Sequence, residues 1–213
     1  MSPIHSLSVI LVVLSVLLQS SSSNASLSAY DNIPSWYSGW NATLAKVNTV
    51  NDGIVWTKFY YDFDKGGNRF DFYNNYVDMD GVQSLNCSVL FTNHSIWFVH
   101  QEEKACTLRS ASGIGVIDPW WVRNLGAQFV RNTTFRGVEA ELYKMPDPDQ
   151  PDFEMEYYAW SKDNRIPLRS QNQANDPGAT DYFDVQVGPQ RRELFDLPDY
   201  CVTNVIDKGC PWY

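Results

Sequence analysis

Residues 53–76 read Gly-Ile-Val-Trp-Thr-Lys-Phe-Tyr-Tyr-Asp-Phe-Asp-Lys-Gly-Gly-Asn-Arg-Phe-Asp-Phe-Tyr-Asn-Asn-Tyr. Two runs of β-branched and aromatic residues flank a glycine pair, which is the pattern of a β-hairpin. Side chains alternate across a strand. Val55, Thr57, Phe59, Tyr61 and Phe63 therefore share one face, and Trp56, Lys58, Tyr60 and Asp62 the other. On the return run Phe70, Phe72 and Tyr76 oppose Arg69, Asp71 and Tyr73. One face is apolar and the other mixes aromatics with charges. That pattern predicts a half-buried antiparallel sheet.

Outward from this hairpin the same pattern repeats. Strand-like runs occupy 41–50, 87–91, 95–100, 106–109, 127–131, 137–145, 153–161, 165–169 and 180–187, separated by turn residues. Asn132–Arg136 reads as a turn between two of them. Asp118-Pro119-Trp120-Trp121, closed by Gly126, carries an N-cap, a first-position proline and a terminal glycine, and predicts one short helix. The expected architecture is mainly β: a curved antiparallel sheet or half-open barrel of about nine strands with one short helix. The 213 residues divide into a leader over 1–23, an N-terminal lead and first strand over 24–52, and the remainder of a single β-rich domain over 53–213.

The leader reading rests on Leu7–Leu18, an apolar run followed by the small residues Ser20–Ser23. This matches a secretory signal peptide and is shorter than a membrane span of about 20 residues. No second such run follows, so no stable membrane insertion is expected and the protein is assigned to the extracellular space. A formal charge of -9 and a pI near 4.7 argue against nucleic-acid partners, which require a basic face. Asparagines in the N-x-Ser/Thr context stand at 24, 41, 86, 93 and 132, and Asn41, Asn86, Asn93 and Asn132 are the candidate glycosylation sites. Asn132 is the best placed of them.

Four cysteines, Cys87, Cys106, Cys201 and Cys210, fit two disulfides in an oxidising compartment. Short loops favour Cys87–Cys106 with Cys201–Cys210; a Cys106–Cys201 link is the alternative. No C-x-x-C spacing exists, which disfavours zinc.

The chemistry-bearing motifs are weak. Asp62-x-Asp64 matches a metal-holding pair of sugar-nucleotide transferases, but aspartate pairs recur at Asp78/Asp80 and Asp147/Asp149 and no βαβ alternation is present. Glu154 and Glu156 share one strand face, as a glycosidase pair could, though such spacing commonly marks a solvated face. His100 lacks a nucleophile motif, and Gly113-x-Gly115 lacks the strand–helix context of a phosphate loop. No catalytic residue, metal site or cofactor is assigned. The eight tryptophans, twelve tyrosines and eleven phenylalanines exceed what a core of this size needs. A small apolar or lipid-like ligand in the hollow of the sheet is the leading expectation. Its candidate contacts are Trp56, Tyr60, Tyr73, Trp120, Trp121 and Trp160. A carbohydrate-active enzyme and a structural or adhesive protein are the alternatives, and the oligomeric state is left open.

Tyr61-Asp62-Phe63 followed by Gly67-Asn68-Arg69 resembles the Tyr-Asp-Trp-Pro-Asn-Gly-Arg hairpin of a family of uncharacterised secreted plant proteins. Those proteins are sometimes labelled glycosyl-group transferases. The likeness runs from Gly53 to Val202 through Cys106, Pro119-Trp120-Trp121, Phe129-Val130, Tyr157-Tyr158, Trp160 and Tyr200-Cys201. This chain lacks the family proline in the turn and has Val138-Glu139 where the family carries a cysteine. The order of hairpins around a mid-chain helix is also similar to ependymin-related proteins and bacterial lipoprotein carriers. That resemblance implies a half-open barrel and an apolar ligand.

Overall fold

The computed structural model describes residues 33–48, 53–72, 86–92, 95–110, 115–146, 153–172, 178–206 and 210. The expected leader, Tyr73, Tyr76 and the sequons at Asn24 and Asn93 lie outside the described residues. The protein is mainly β, with one antiparallel sheet that does not close. Its strands are β1 (Gly39–Asn48), β2 (Gly53–Asp62), β3 (Gly67–Phe72), β4 (Cys87–Thr92), β5 (Ile96–His100), β6 (Ala105–Ser110), β7 (Gln128–Phe135), β8 (Val138–Pro146), β9 (Glu154–Trp160), β10 (Asp163–Asn172) and β11 (Gly178–Val187). The order across the sheet is β6-β5-β4-β3-β2-β1-β11-β10-β9-β8-β7, so two meanders meet where β1 pairs with β11.

The sheet has 11 strands against about nine expected, because every one of the runs, the opening hairpin's two included, joins the ladder. β10 extends well beyond Arg165–Arg169, and its register shifts on both sides of Pro167, where the missing N–H is accommodated by irregular pairing. Two short helices replace the single one expected: α1 (Trp121–Asn124) and α2 (Tyr200–Thr203). α1 is one turn, opened by the Asp118 carboxylate accepting from Trp120 N at 2.8 Å and ended near Gly126, which has a φ of 76°. Asn132 is not in a turn. β7 runs through it, and the turn falls at Arg136 and Gly137, with φ of 50° and 78°. Two successive positive φ values suit a two-residue hairpin whose twist matches its strands.

The opening hairpin has the expected faces. Val55, Thr57, Phe59 and Tyr61 are buried, whereas Ile54 and Trp56 are exposed. Phe59 pairs with Phe70 and Thr57 with Phe72, while Tyr60 faces Arg69. Phe63 lies beyond the strand end and is exposed.

The sheet curls around Trp36. Its ring meets Phe59 and Tyr61 of β2, Trp40 of β1 and Tyr182 of β11, and its Nε1 donates to the Tyr157 hydroxyl of β9 at 2.9 Å. β2 and β9 are four strand intervals apart, which in a flat sheet is about 19 Å. One indole spans that only if the strands wrap towards it. The segment leading into α1 covers the same face: Trp36 N donates to Pro119 O at 2.7 Å, and the Tyr61 hydroxyl to Ile117 O at 2.7 Å. Trp121 and Val122 pack beneath. The hollow, among the described residues, is filled by the chain's own aromatic side chains.

All four cysteines are paired, but as Cys87–Cys210 and Cys106–Cys201. The expected Cys87–Cys106 link is therefore corrected. Cys87 stands opposite His100, and Cys106 opposite Val99. Neighbouring positions on β5 point to opposite faces, so the two thiols cannot meet. Cys106 lies with Val99 and Cys201 on the outer face, and Cys87 with Val89, Phe98 and Cys210 on the inner. The C-terminal tail is tied to both faces of the same sheet end.

Candidate functional site

The β7–β8 and β9–β10 hairpins end side by side. Between their tips runs a groove of about 560 Å³, lined by Gly137, Val138, Glu139, Trp160, Lys162, Ile166 and Leu168. Trp160 is in register with Ala140, which puts it on the outer face of the sheet, away from Trp36. Val138 remains 38% exposed, and the charged Glu139 and Lys162 are exposed at the groove's rim. The floor is tied by Ser161 N donating to Glu139 O at 3.2 Å.

One wall is held by Arg136. From the β7–β8 turn its guanidinium reaches back to donate to the Tyr182 carbonyl at 2.9 Å and lies 4.0 Å over the Phe183 ring. Phe135 sits against Tyr158 at 5.3 Å and under Arg169 at 4.7 Å. Arg169 grips Asp181 with two hydrogen bonds, of 2.5 and 3.0 Å. These stacked guanidinium and aromatic planes pin the hairpin tip across β10 and β11. The sizes fit: ligand pockets commonly enclose about 300–1,000 Å³ with apolar walls and few polar groups.

The six aromatic candidates do not converge. Trp160 alone lines the groove. Trp56 is exposed on the outer face of β2, its ring 5.5 Å from Phe183, and Tyr60 follows it on the same face, facing Asn41 and Arg69. Trp120 is exposed before α1, with Arg123 5.7 Å over its ring. Trp121 packs inward against Trp36 and Tyr157. Tyr73 lies outside the described residues. Sequence reasoning missed Val138, Ile166 and Leu168; the available signal was apolar residues placed right beside two hairpin turns.

The two described carboxylate pairs differ: Asp62 and Asp64 part, and Glu154 and Glu156 stay together. Asp62 is buried and accepts from Lys65 N, Lys65 Nζ and Gln190 N at 2.8–3.0 Å, whereas Asp64 is exposed. Asp62 thus closes a turn and anchors the tail. Glu154 and Glu156 both lie within 4 Å of Lys144 on the outer face. His100 is buried at the end of β5. No group of three or more His, Cys, Asp or Glu side chains gathers into a metal site among the described residues, and no described helix is long and apolar enough to cross a membrane.

The candidate sequons also differ. Asn41 is half-buried on β1, a central strand, and its Nδ2 donates to Gln190 Oε1 at 3.3 Å. Asn86 Nδ2 donates to Glu102 Oε1 at 3.0 Å, and the hydroxyl of its sequon partner Ser88 is spent on Asp71 at 2.6 Å. Asn132 is exposed.

No family model and no curated protein matches the chain. Several solved structures align with it. An uncharacterised conserved protein from Thermus thermophilus aligns with a TM-score of 0.55 at 11% identity, over 80% of this chain and 90% of that one. The Pseudomonas aeruginosa MucA/MucB complex aligns at 0.46 and 12% identity, over 76% of this chain and 56% of that one. A putative outer membrane lipoprotein-sorting protein domain from Vibrio parahaemolyticus aligns at 0.38 and 9%, over 78% and 92%. At such identities the first shows a shared fold alone, and the lower scores of the others carry no argument.

Proposed function

We propose that this is a secreted protein that binds a small apolar or lipid-like ligand, held in the groove between the β7–β8 and β9–β10 tips. The groove itself carries the reading: about 560 Å³, walled by Val138, Trp160, Ile166 and Leu168. The two disulfides support the extracellular assignment, because such bonds persist in oxidising compartments. The ligand's chain lies on the indole and the aliphatic wall, each buried methylene contributing about 0.8 kcal/mol. Its polar end is met by Lys162 or Glu139 at the rim.

A fluorescent polyene fatty acid tests this directly. Titration into the purified protein should give saturable emission enhancement. Trp160→Ala should weaken binding about tenfold, equivalent to about 1.4 kcal/mol, with the unfolding transition little changed. Lys162→Gln should weaken a carboxylate probe more than its alcohol analogue. Linear, unsaturable emission, or equal affinity in the Trp160→Ala protein, would contradict the assignment.

A further inference from the structure

An unclosed sheet has two edges, and each exposes a row of unpaired N–H and C=O groups that can template association with another chain. The chain guards one of them itself. Beside β6, Cys106 N donates to Asn204 O at 2.9 Å, Ile206 N to Cys106 O at 2.8 Å, and the Thr107 hydroxyl to Ile206 O at 2.8 Å. Cys106 and Val205 form a parallel bridge, and the Cys106–Cys201 disulfide holds the tail there.

The other edge is β7. Among the described residues no strand pairs on its outer side. It is eight residues long, contains no proline, and exposes Phe129 at 53% and Val130 at 43%; a register shift between Phe129 and Arg131 and the Arg131 charge interrupt its first half only. Edge stretches with neither charge, proline nor bulge can pair with copies of themselves, and residues 132–135 of β7 carry none of the three. The middle of β7 carries Asn132-Thr133-Thr134, whose asparagine is exposed.

We infer that, of the described sequons, Asn132 is the glycosylated one and that its N-linked glycan guards the β7 edge. The inference rests on the secretory reading above, since the glycan donor belongs to that route. In the transfer, Asn132 Nδ2 forms a bond to the anomeric carbon of a lipid-diphosphate-linked oligosaccharide. The anomeric C–O bond breaks, the lipid diphosphate leaves with that electron pair, and the amide gives up one proton. A hydrated glycan of this bulk rises from the middle of the edge and excludes an incoming strand. The contrast with Asn41 is physical. There a glycan would displace Gln190 from a central strand, together with the segment anchored on Asp62.

The full-length gene expressed in secreting eukaryotic cells provides the test. Peptide-N-glycosidase treatment in heavy-oxygen water labels every formerly glycosylated asparagine as aspartate. The label is expected at Asn132 and absent from Asn41. Secreted Asn132→Gln and Thr134→Ala proteins should shift from monomer to dimer or larger species on size-exclusion chromatography. Adding Val130→Lys, which places a charge on the same edge, should return the Asn132→Gln protein to monomer. A secreted, disulfide-bonded protein without label at Asn132, or unglycosylated variants that stay monomeric, would overturn the inference alone. A retained chain with four alkylatable thiols would overturn the secretory reading and the inference with it.

Discussion

Gly67 shows how much one missing side chain carries. The tail crosses β3 there, and a Cβ on Gly67 would stand 2.8 Å from Phe195 Cβ and closer still to its ring. Gly67→Ala should therefore expel the Phe195 ring and cost about 1–3 kcal/mol, read as a lower urea midpoint with an unchanged slope. The buried tyrosines give a second residue-scale prediction. Burial pushes the Tyr182 hydroxyl from its usual 10.0 up to about 12. Burial also raises Tyr61, Tyr143 and Tyr157 well above the usual range. Their stabilisation is fully present below pH 10 and is lost as pH rises, because the unfolded chain releases those protons first. Stability should fall by about 1.4 kcal/mol per pH unit for each such tyrosine. Tyrosinate absorbance should then appear together with unfolding; a titration complete near pH 10 in the folded protein would contradict it. The glycine pair at 66–67 was legible as a turn, yet the contact with Phe195 was not, since it joins positions far apart in the chain.

At the scale of elements, the disulfides make the sharpest prediction. Cys87–Cys210 and Cys106–Cys201 are separated by 123 and 95 residues, and the chain-entropy model assigns loops of that size roughly 4–5 kcal/mol each. Non-reducing peptide maps should recover these two linkages. The paired Cys106→Ser and Cys201→Ser change should lower stability by a comparable amount and free the tail from β6, read as faster amide exchange at position 106 and at Ile206. A Cys87–Cys106 peptide would contradict the register of β4, β5 and β6. Alternation made the strands themselves readable: Val55, Phe59 and Tyr61 go inward as their spacing requires. Cysteine pairing was not, because it depends on which face each thiol takes once three strands are in register. Likewise Asn132-Thr133-Thr134 reads as turn chemistry, but the pair with positive φ is Arg136-Gly137, and the polar run became an edge strand with a solvated side.

For the whole molecule, an open sheet curled on Trp36 fills its inner face with its own rings and leaves an apolar groove outside, between two hairpin tips. Aromatic content announced abundant rings but not their destinations, because those that fill the hollow meet around Trp36 from strands β2, β1, β11 and β9. The groove was hidden for a related reason: Val138, Trp160, Ile166 and Leu168 meet only where two hairpin tips lie side by side. Arg136 holds the β7–β8 tip to the Leu168 and Tyr182 carbonyls, so Arg136→Ala should loosen the wall and weaken fatty-acid binding about as much as Trp160→Ala, although the guanidinium itself lines no part of the groove. The most direct test of ligand binding is native mass spectrometry of the protein purified from secreting cells without delipidation. The account predicts an added mass beyond polypeptide and glycan, removable by organic extraction and depleted in the Trp160→Arg protein, where the groove is filled by a charge. Wild-type protein carrying no extractable mass, or an adduct equally abundant in Trp160→Arg, would contradict it.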